Sequence, residues 1–397
     1  MGVPKLRFKA DDGSDFPDWE EMTLGDVGSV AMCKRVFKEQ TREVGDVPFF
    51  KIGTFGGVPD AYISKSLFDE LKSKYAYPEV GTILLSASGT IGRQVEYQGE
   101  DAYYQDSNIV WLEHDDTVLD SYLKQFYSVV KWQGLEGSTI KRLYNKTILD
   151  TPFYRPSLPE QRKIADLLSA VDDVISAQEA EVAAWEKRKK GVMQKLFSQE
   201  VRFKADDGSD FPDWEEKTLG EICEQLKASI DPRNNPTKQF IEYSMPAYDN
   251  HMAAQAVLGQ SMNSARKILS APCVLINKLN VRKRRIWVVE HPEDNAVCSS
   301  EFVPLTSTEF DLRFLGYLAM TDSFTGYLLD CSSGSSNSQK RVTPDTILQY
   351  LVSLPSLPEQ RKIADCLTSL GDVIAKAKDE LDAWRELKKG LLQQMFV

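Results

Sequence analysis

The sequence is poor in the residues that build metal and redox sites. Its 397 positions hold only three histidines, His114, His251 and His291, and none lies near a cysteine pair or in an HExxH run, which argues against zinc. The six cysteines (Cys33, Cys223, Cys273, Cys298, Cys331, Cys366) are scattered with no CxxC pair, as reduced cytoplasmic thiols are. No stretch approaches the ~18 apolar residues of a membrane span. The opening "MGVPKLRFKADDG" has no apolar signal core, and Leu6 stands where an N-myristoylation motif wants Ser or Thr. Catalytic signatures are also missing: no phosphate loop, no glycine-rich cofactor loop after a strand, no NPPY- or DPPY-like element for amino-methylation, and no nuclease-like acidic cluster. These absences lead us to expect a cytoplasmic, non-catalytic chain that binds no metal or cofactor of its own.

A surplus of positive charge is lacking too: the net charge is −11. Its distribution matters more than its sign. "RFKADDGSDFPDWEE" occupies residues 7–21 and recurs letter for letter at 202–216, and the two copies supply −8 of the −11. Residues 217–354 carry fourteen basic and fourteen acidic residues, with five of the basic ones bunched in "NKLNVRKRR" (277–285). A local patch of this kind can bind phosphate on an acidic protein.

The duplication has a second block. "PSLPEQRKIAD" at 156–166 returns at 355–365, so nearly identical frames enclose inserts 22–155 and 217–354 that differ in length by four residues and share almost no sequence. A common frame around divergent inserts suggests one scaffold presenting two different recognition surfaces. The acidic "DDGSD" part of the repeat reads as a solvated linker.

After each "SLPEQRK" a long helix is expected, with Pro159 and Pro358 at its first position and Glu160 and Glu359 in its first turn. Steps of four and three pick out Ile164, Leu168, Val171, Ile175, Gln178, Val182, Trp185, Lys189, Val192 and Leu196. The second copy gives Ile363, Leu367, Leu370, Ile374, Ala377, Leu381, Trp384, Lys388, Leu391 and Met395. Five heptads of this regularity read as a coiled coil, about 39 residues and on the order of 60 Å long. Two amphipathic helices packed separately on their own domains are the alternative. Pairing within the chain would cover both apolar seams and make an antiparallel spacer with pseudo-two-fold symmetry.

The order of these pieces resembles the specificity subunit of type I restriction–modification systems. The resemblance rests on "WEEMTLGDV" (19–27) and "WEEKTLGEI" (214–222), and above all on the duplicated "LPEQRKIA" followed by a long helix; it runs from about Trp19 to the C-terminus. It implies an α+β chain in which two mixed α/β target-recognition domains are joined by two long helices in an antiparallel coiled coil. The expected boundaries are 1–155 and 201–354 for the domains, and 156–200 and 355–397 for the helices. It also implies a non-catalytic reader of double-stranded DNA, each domain taking one part of a split, asymmetric site. The helices would set the gap and dock two methyltransferase subunits, with room for restriction subunits. S-adenosylmethionine, ATP and magnesium would belong to those partners.

Within the inserts, "EVGTILLSASGTIGRQVEY" (79–97) and "APCVLINKLNVRKRRIWVVEH" (271–291) read as strand, turn, strand, small in the first half and basic in the second. Helix-like stretches follow at 120–132 and 311–324, then polar loops at 136–149 and 333–348. Lys and Arg neutralise phosphates, and Ser, Thr, Asn, Gln and Arg pair with base edges. The candidate DNA contacts are therefore Ser138, Thr139, Lys141, Arg142, Asn337, Gln339, Lys340 and Arg341 in the loops. In the turns they are Ser86, Ser88, Thr90 and Arg93, with Asn277, Lys278, Asn280, Arg282, Lys283 and Arg284. A scaffold whose inserts bind protein or carbohydrate is the rival reading, and salt-sensitive binding to duplex DNA would discriminate the two.

Overall fold

In the computed structural model, which describes residues 4–132, 142–334 and 339–396, each framing repeat closes on itself before its long helix begins. Glu160 is fully buried, and Arg7 grips it with two nitrogens: Nε donates to Oε1 at 3.1 Å and Nη2 to Oε2 at 2.9 Å. Trp19 Nε1 donates to the same Oε2 at 2.9 Å. The second copy repeats this with Arg202, Trp214 and Glu359 at 3.0, 2.9 and 3.1 Å. A buried carboxylate is stable only when its lone pairs are filled by charged and polar donors. The next residue is pinned as well. Gln161 donates to the carbonyls of Thr117 and Pro156 and accepts from Leu119 N, while Gln360 does the same with Glu309, Pro355 and Asp311. The two ends of each repeat, Arg7 with Trp19 and Arg202 with Trp214, thus clamp the start of each helix, while the "DDGSD" stretches between them at 11–15 and 206–210 are solvent-exposed. Lys163 and Lys362 add ion pairs back to Asp11 and Asp206.

Two compact units result, Met1–Glu179 with Asp379–Val397, and Ala180–Lys378. In the first, Glu20–Thr23 pairs antiparallel with Pro152–Arg155 at the neck of the insert. The insert holds a four-stranded antiparallel sheet in the order Gly28–Ala31, Ile109–His114, Ile83–Ser86, Gln94–Glu96, and a three-stranded sheet around Val47–Phe50. The second unit has the same neck, Glu215–Thr218 with Leu351–Leu354. Its four-stranded sheet runs Glu224–Gln225, Phe302–Thr306, Cys273–Asn277, Ile286–Val289, beside a five-stranded sheet. All four residues of Ile83–Ser86 and all five of Cys273–Asn277 are buried, as in strands covered on both faces. The helix-like stretches form Asp120–Tyr127 in the first unit and Leu312–Ala319 with Asp322–Asp330 in the second. The polar loops end in short helices, Asn145–Leu149 and Pro344–Leu348, which pack close to Gly25 and Gly220 just past each framing repeat.

The long helices span Leu158–Phe197 and Leu357–Phe396, so each proline sits one residue inside its helix. Within the first unit they run antiparallel, tied by Asp172–Lys388 at 2.5 Å and Glu179–Arg385 at 2.6 Å. Within the second unit they are again antiparallel, tied by Glu186–Lys378 at 2.6 Å. Both expectations for the seam turn out to be partly true at once. Ile164 and Leu168 enter the core of the first unit together with Leu392, Met395 and Phe396. Ile363, Ala364 and Leu367 enter that of the second with Leu196. Further along, Val171, Val182, Ile374, Ala377 and Leu381 are buried, while Ile175, Trp185, Leu370 and Trp384 are half-buried.

Candidate nucleic-acid interface

Each four-stranded sheet ends in a turn that joins an inner strand to the edge strand beside it, and the sequence builds the two turns differently. In the first unit the turn 87–93 is held from within by Ser86. This residue is 1% exposed; its hydroxyl donates to Thr90 O and accepts from Arg93 N at 2.8 Å. Gly92 adopts φ +77°, and a Cβ there would stand 2.7 Å from the Trp132 indole nitrogen, so the position takes only glycine. Ser88 donates to Asn108 Oδ1 at 2.9 Å, and Arg93 reaches Phe55 O at 2.8 Å. Thr90 is exposed at the tip. Where the polar loop returns, Leu143 N bonds Ala87 O at 2.7 Å and Arg142 donates to Ser107 O. Arg35 fastens the same 105–108 loop through Asp106 at 2.8 Å. Ser138, Thr139 and Lys141 lie outside the described residues.

In the second unit the turn 278–285 is organised by Asn277, which is 2% exposed. Its amide nitrogen donates to the carbonyls of Leu279 and Asn280, and its oxygen accepts from Arg285 N at 3.0 Å. Asn280 takes φ +52°, a conformation that asparagine tolerates better than most residues. Lys278 and Asn280 are laced to the returning loop by Asn280 N to Lys340 O at 2.8 Å and Val342 N to Lys278 O at 3.0 Å. Arg341 pairs with Glu301 at 2.9 Å. Arg284 donates to Met320 O at 2.8 Å and pairs with Asp322, and the mostly buried Arg285 grips Asp249 with two nitrogens. That guanidinium holds the Asp249 carboxyl below its usual range. Arg282, Lys283 and Gln339 are exposed, and Lys278 and Lys340 half-exposed; Asn337 lies outside the described residues.

The expected contacts therefore separate into three kinds. Ser86 and Asn277 are internal, because each replaces backbone partners that a tight turn cannot supply; they shape the turns and present nothing to a duplex. Arg142 and Arg341 fasten the loop before the short helix that follows, one through a carbonyl and the other through a carboxylate. Thr90 and Arg93, and Lys278, Arg282, Lys283, Gln339 and Lys340, remain on the outside. Sequence reasoning missed Arg35, Asp106, Ser107, Asn108, Asp249 and Glu301. Their roles depend on loops distant in sequence, and the φ of +55° at Ser107 has no signature in its neighbours.

Among the described residues no helix is long and apolar enough to cross a membrane, and no group of His, Cys, Asp and Glu could hold a metal ion. Burial pushes the Cys33, Cys223 and Cys273 thiols up to about 12, as in core side chains.

A family profile described as the type I restriction modification DNA specificity domain matches this chain twice, at residues 17–184 and 212–383. A putative type I restriction enzyme specificity subunit of Haemophilus influenzae is 54% identical over 155 residues, which is 39% of this chain and 40% of that relative. The type I restriction enzyme MjaVIII specificity subunit of Methanocaldococcus jannaschii is 23% identical over 421 residues, covering 98% of this chain and 95% of its own. The crystal structure of a type I restriction-modification S subunit from M. genitalium shares the fold with a TM-score of 0.60 at 16% identity, over 100% of this chain and 99% of that one.

Proposed function

Because the chain belongs to the type I restriction–modification DNA specificity family and carries two copies of its domain, we propose that it is the DNA-reading subunit of such a complex and has no catalytic site of its own. The reading is carried by one observation: the same four-stranded sheet ends in a small serine–glycine turn in the first unit and in a basic turn in the second. Unlike surfaces on a repeated frame suit two unlike half-sites. Thr90 and Arg93 would read in the first unit. Lys278, Arg282, Lys283, Gln339 and Lys340 would do so in the second, with cations on phosphates and amides on base edges.

The antiparallel helices set the unread gap and dock two methyltransferase subunits, because clamps identical in both repeats suit two copies of one partner. Restriction subunits would join the same assembly in the cytoplasm. S-adenosylmethionine, ATP and magnesium are assigned to those partners. The test is to express the chain with its methyltransferase subunits and map the methylated bases. Lys141→Ala with Arg142→Ala should alter one half-site, and Lys340→Ala with Arg341→Ala the other. A single continuous palindrome, or both double variants changing the same half, overturns the two-reader scheme.

A further inference from the structure

In both units a crevice opens between the insert domain and the helix pair, and both crevices are lined by cations. The first, about 570 Å³, is bordered by Lys5, Lys131, Arg385, Lys388 and Lys389. Its helix cations are neutralised where they stand: Lys388 by Asp172, Arg385 by Glu179 and Asp382, and Lys389 by Glu386. The second, about 500 Å³, is bordered by Lys189, Lys190, Arg284, Tyr248 and Tyr317. Here neutralisation is incomplete. Asp322 is shared between Arg284 and Lys190, the latter at 3.9 Å, and Glu186 is already taken by Lys378.

Lys189 is the residue that stands out. It is the repeat counterpart of Lys388, but the position corresponding to Asp172 is Gly371. A Cβ on Gly371 would lie 2.9 Å from Lys189 Nζ, so the ammonium occupies the space a carboxylate holds in the other unit. Among the described residues no carboxylate pairs with it, and its recorded contact is the Tyr317 ring at 5.1 Å. Burial pulls its pKa down, opposed only by the field of Asp372. Arg284 continues the crevice into the basic turn, next to the outward Arg282 and Lys283.

We propose that the crevice of the second unit is a phosphate-binding site anchored by Lys189, with Lys190 and Arg284 as its other donors. Two lysines and a guanidinium face the shared Asp322, with Glu186 taken by Lys378 and Asp372 acting on Lys189 only through its field; this leaves positive charge that a phosphate oxyanion satisfies. The phosphate could come from a duplex backbone, in which case the proposal rests on the DNA-reading function, or from a free phosphate.

The test uses the full chain as wild type, Lys189→Met and Gly371→Asp. The first variant keeps the apolar stem, and the second restores the carboxylate found in the other unit, so a melting curve should find both folded. Amine acetylation of Lys189, read by peptide mass spectrometry, is followed alone, with millimolar inorganic phosphate, and with mixed-sequence duplex DNA; duplex affinity is measured against salt in parallel. Severalfold protection by duplex, with both variants weakening binding to all sequences alike and flattening the salt slope by about one, supports a backbone phosphate. Protection by inorganic phosphate with unchanged duplex affinity supports a free phosphate. Equal labelling in all three conditions by a chain that does bind duplex overturns the site. If no duplex binds at any salt while inorganic phosphate still protects Lys189, the DNA-reading function fails and the phosphate site stands.

Discussion

The two units solve the same problem at one step of the helix pair in opposite ways. In the first, a lysine in the seam is met by an aspartate: Lys388 lies 2.5 Å from Asp172, which also accepts from Gln125 at 3.3 Å. In the second, the lysine is kept and the aspartate is replaced by Gly371, so Lys189 turns to an aromatic ring. By contrast, the clamp at the start of each helix is reproduced to within about 0.2 Å in all three of its hydrogen bonds. A repeated sequence is thus held rigidly where a buried charge leaves no alternative partner. It drifts where a half-buried ammonium can find another neighbour.

The comparison breaks most visibly at the clamp. Arg7→Ala leaves Glu160 buried with the Trp19 indole as its remaining recorded side-chain donor, and should destabilise the first unit by about 3–5 kcal/mol. Arg202→Ala should do the same to the second through Glu359. Chemical denaturation monitored by hydrogen exchange should show matched losses, each confined to the core of its own unit. Losses that differ severalfold would mean the clamps are not equivalent.

The seam itself should respond asymmetrically. Asp172→Ala strips a half-buried lysine of its counter-ion and Gln125 of its acceptor, for an expected loss of about 1–2 kcal/mol. Gly371→Ala removes a helix-interior glycine, and the atom in its way is the far end of a flexible side chain. It should stabilise by about 0.5–1 kcal/mol. Thermal unfolding of the two variants checks the opposite signs.

The smallest effect is a pH dependence. Burial lowers the Lys189 pKa in the folded chain, so over the window from that lowered value up to the ordinary lysine value the unfolded chain binds more protons. Stability should therefore rise with pH across that window in the wild type, and the advantage of Lys189→Met should shrink. A difference between the two proteins that stays constant across that window would show that Lys189 keeps an unperturbed charge.

Much of the architecture was legible from letters alone, for identifiable reasons. The 3.5-residue spacing from Ile164 to Leu196 and from Ile363 to Met395 can bury its apolar positions only on a helix, and two matched seams favour covering each other. "LPEQ" in duplicate marked the helix starts, because a proline is tolerated only in the first turn. The strand–turn–strand reading of 79–97 and 271–291 held because long apolar runs bounded by glycine or charge leave few alternatives. What the sequence could not decide was which polar residue faces inward. Ser86 and Asn277 look like ligand-binding side chains, and tertiary contacts made them the internal struts of their turns. Arg7, the first letter of an acidic block, became the partner of a carboxylate 153 residues away. Lys189 and Lys388 are one repeat position in the sequence, and only the three-dimensional neighbour, aspartate or glycine, settled which of them carries an unneutralised charge. Periodicity is a property of the local chain and can be read along it. The partner of a buried polar group is chosen by desolvation in space, where sequence distance has no weight.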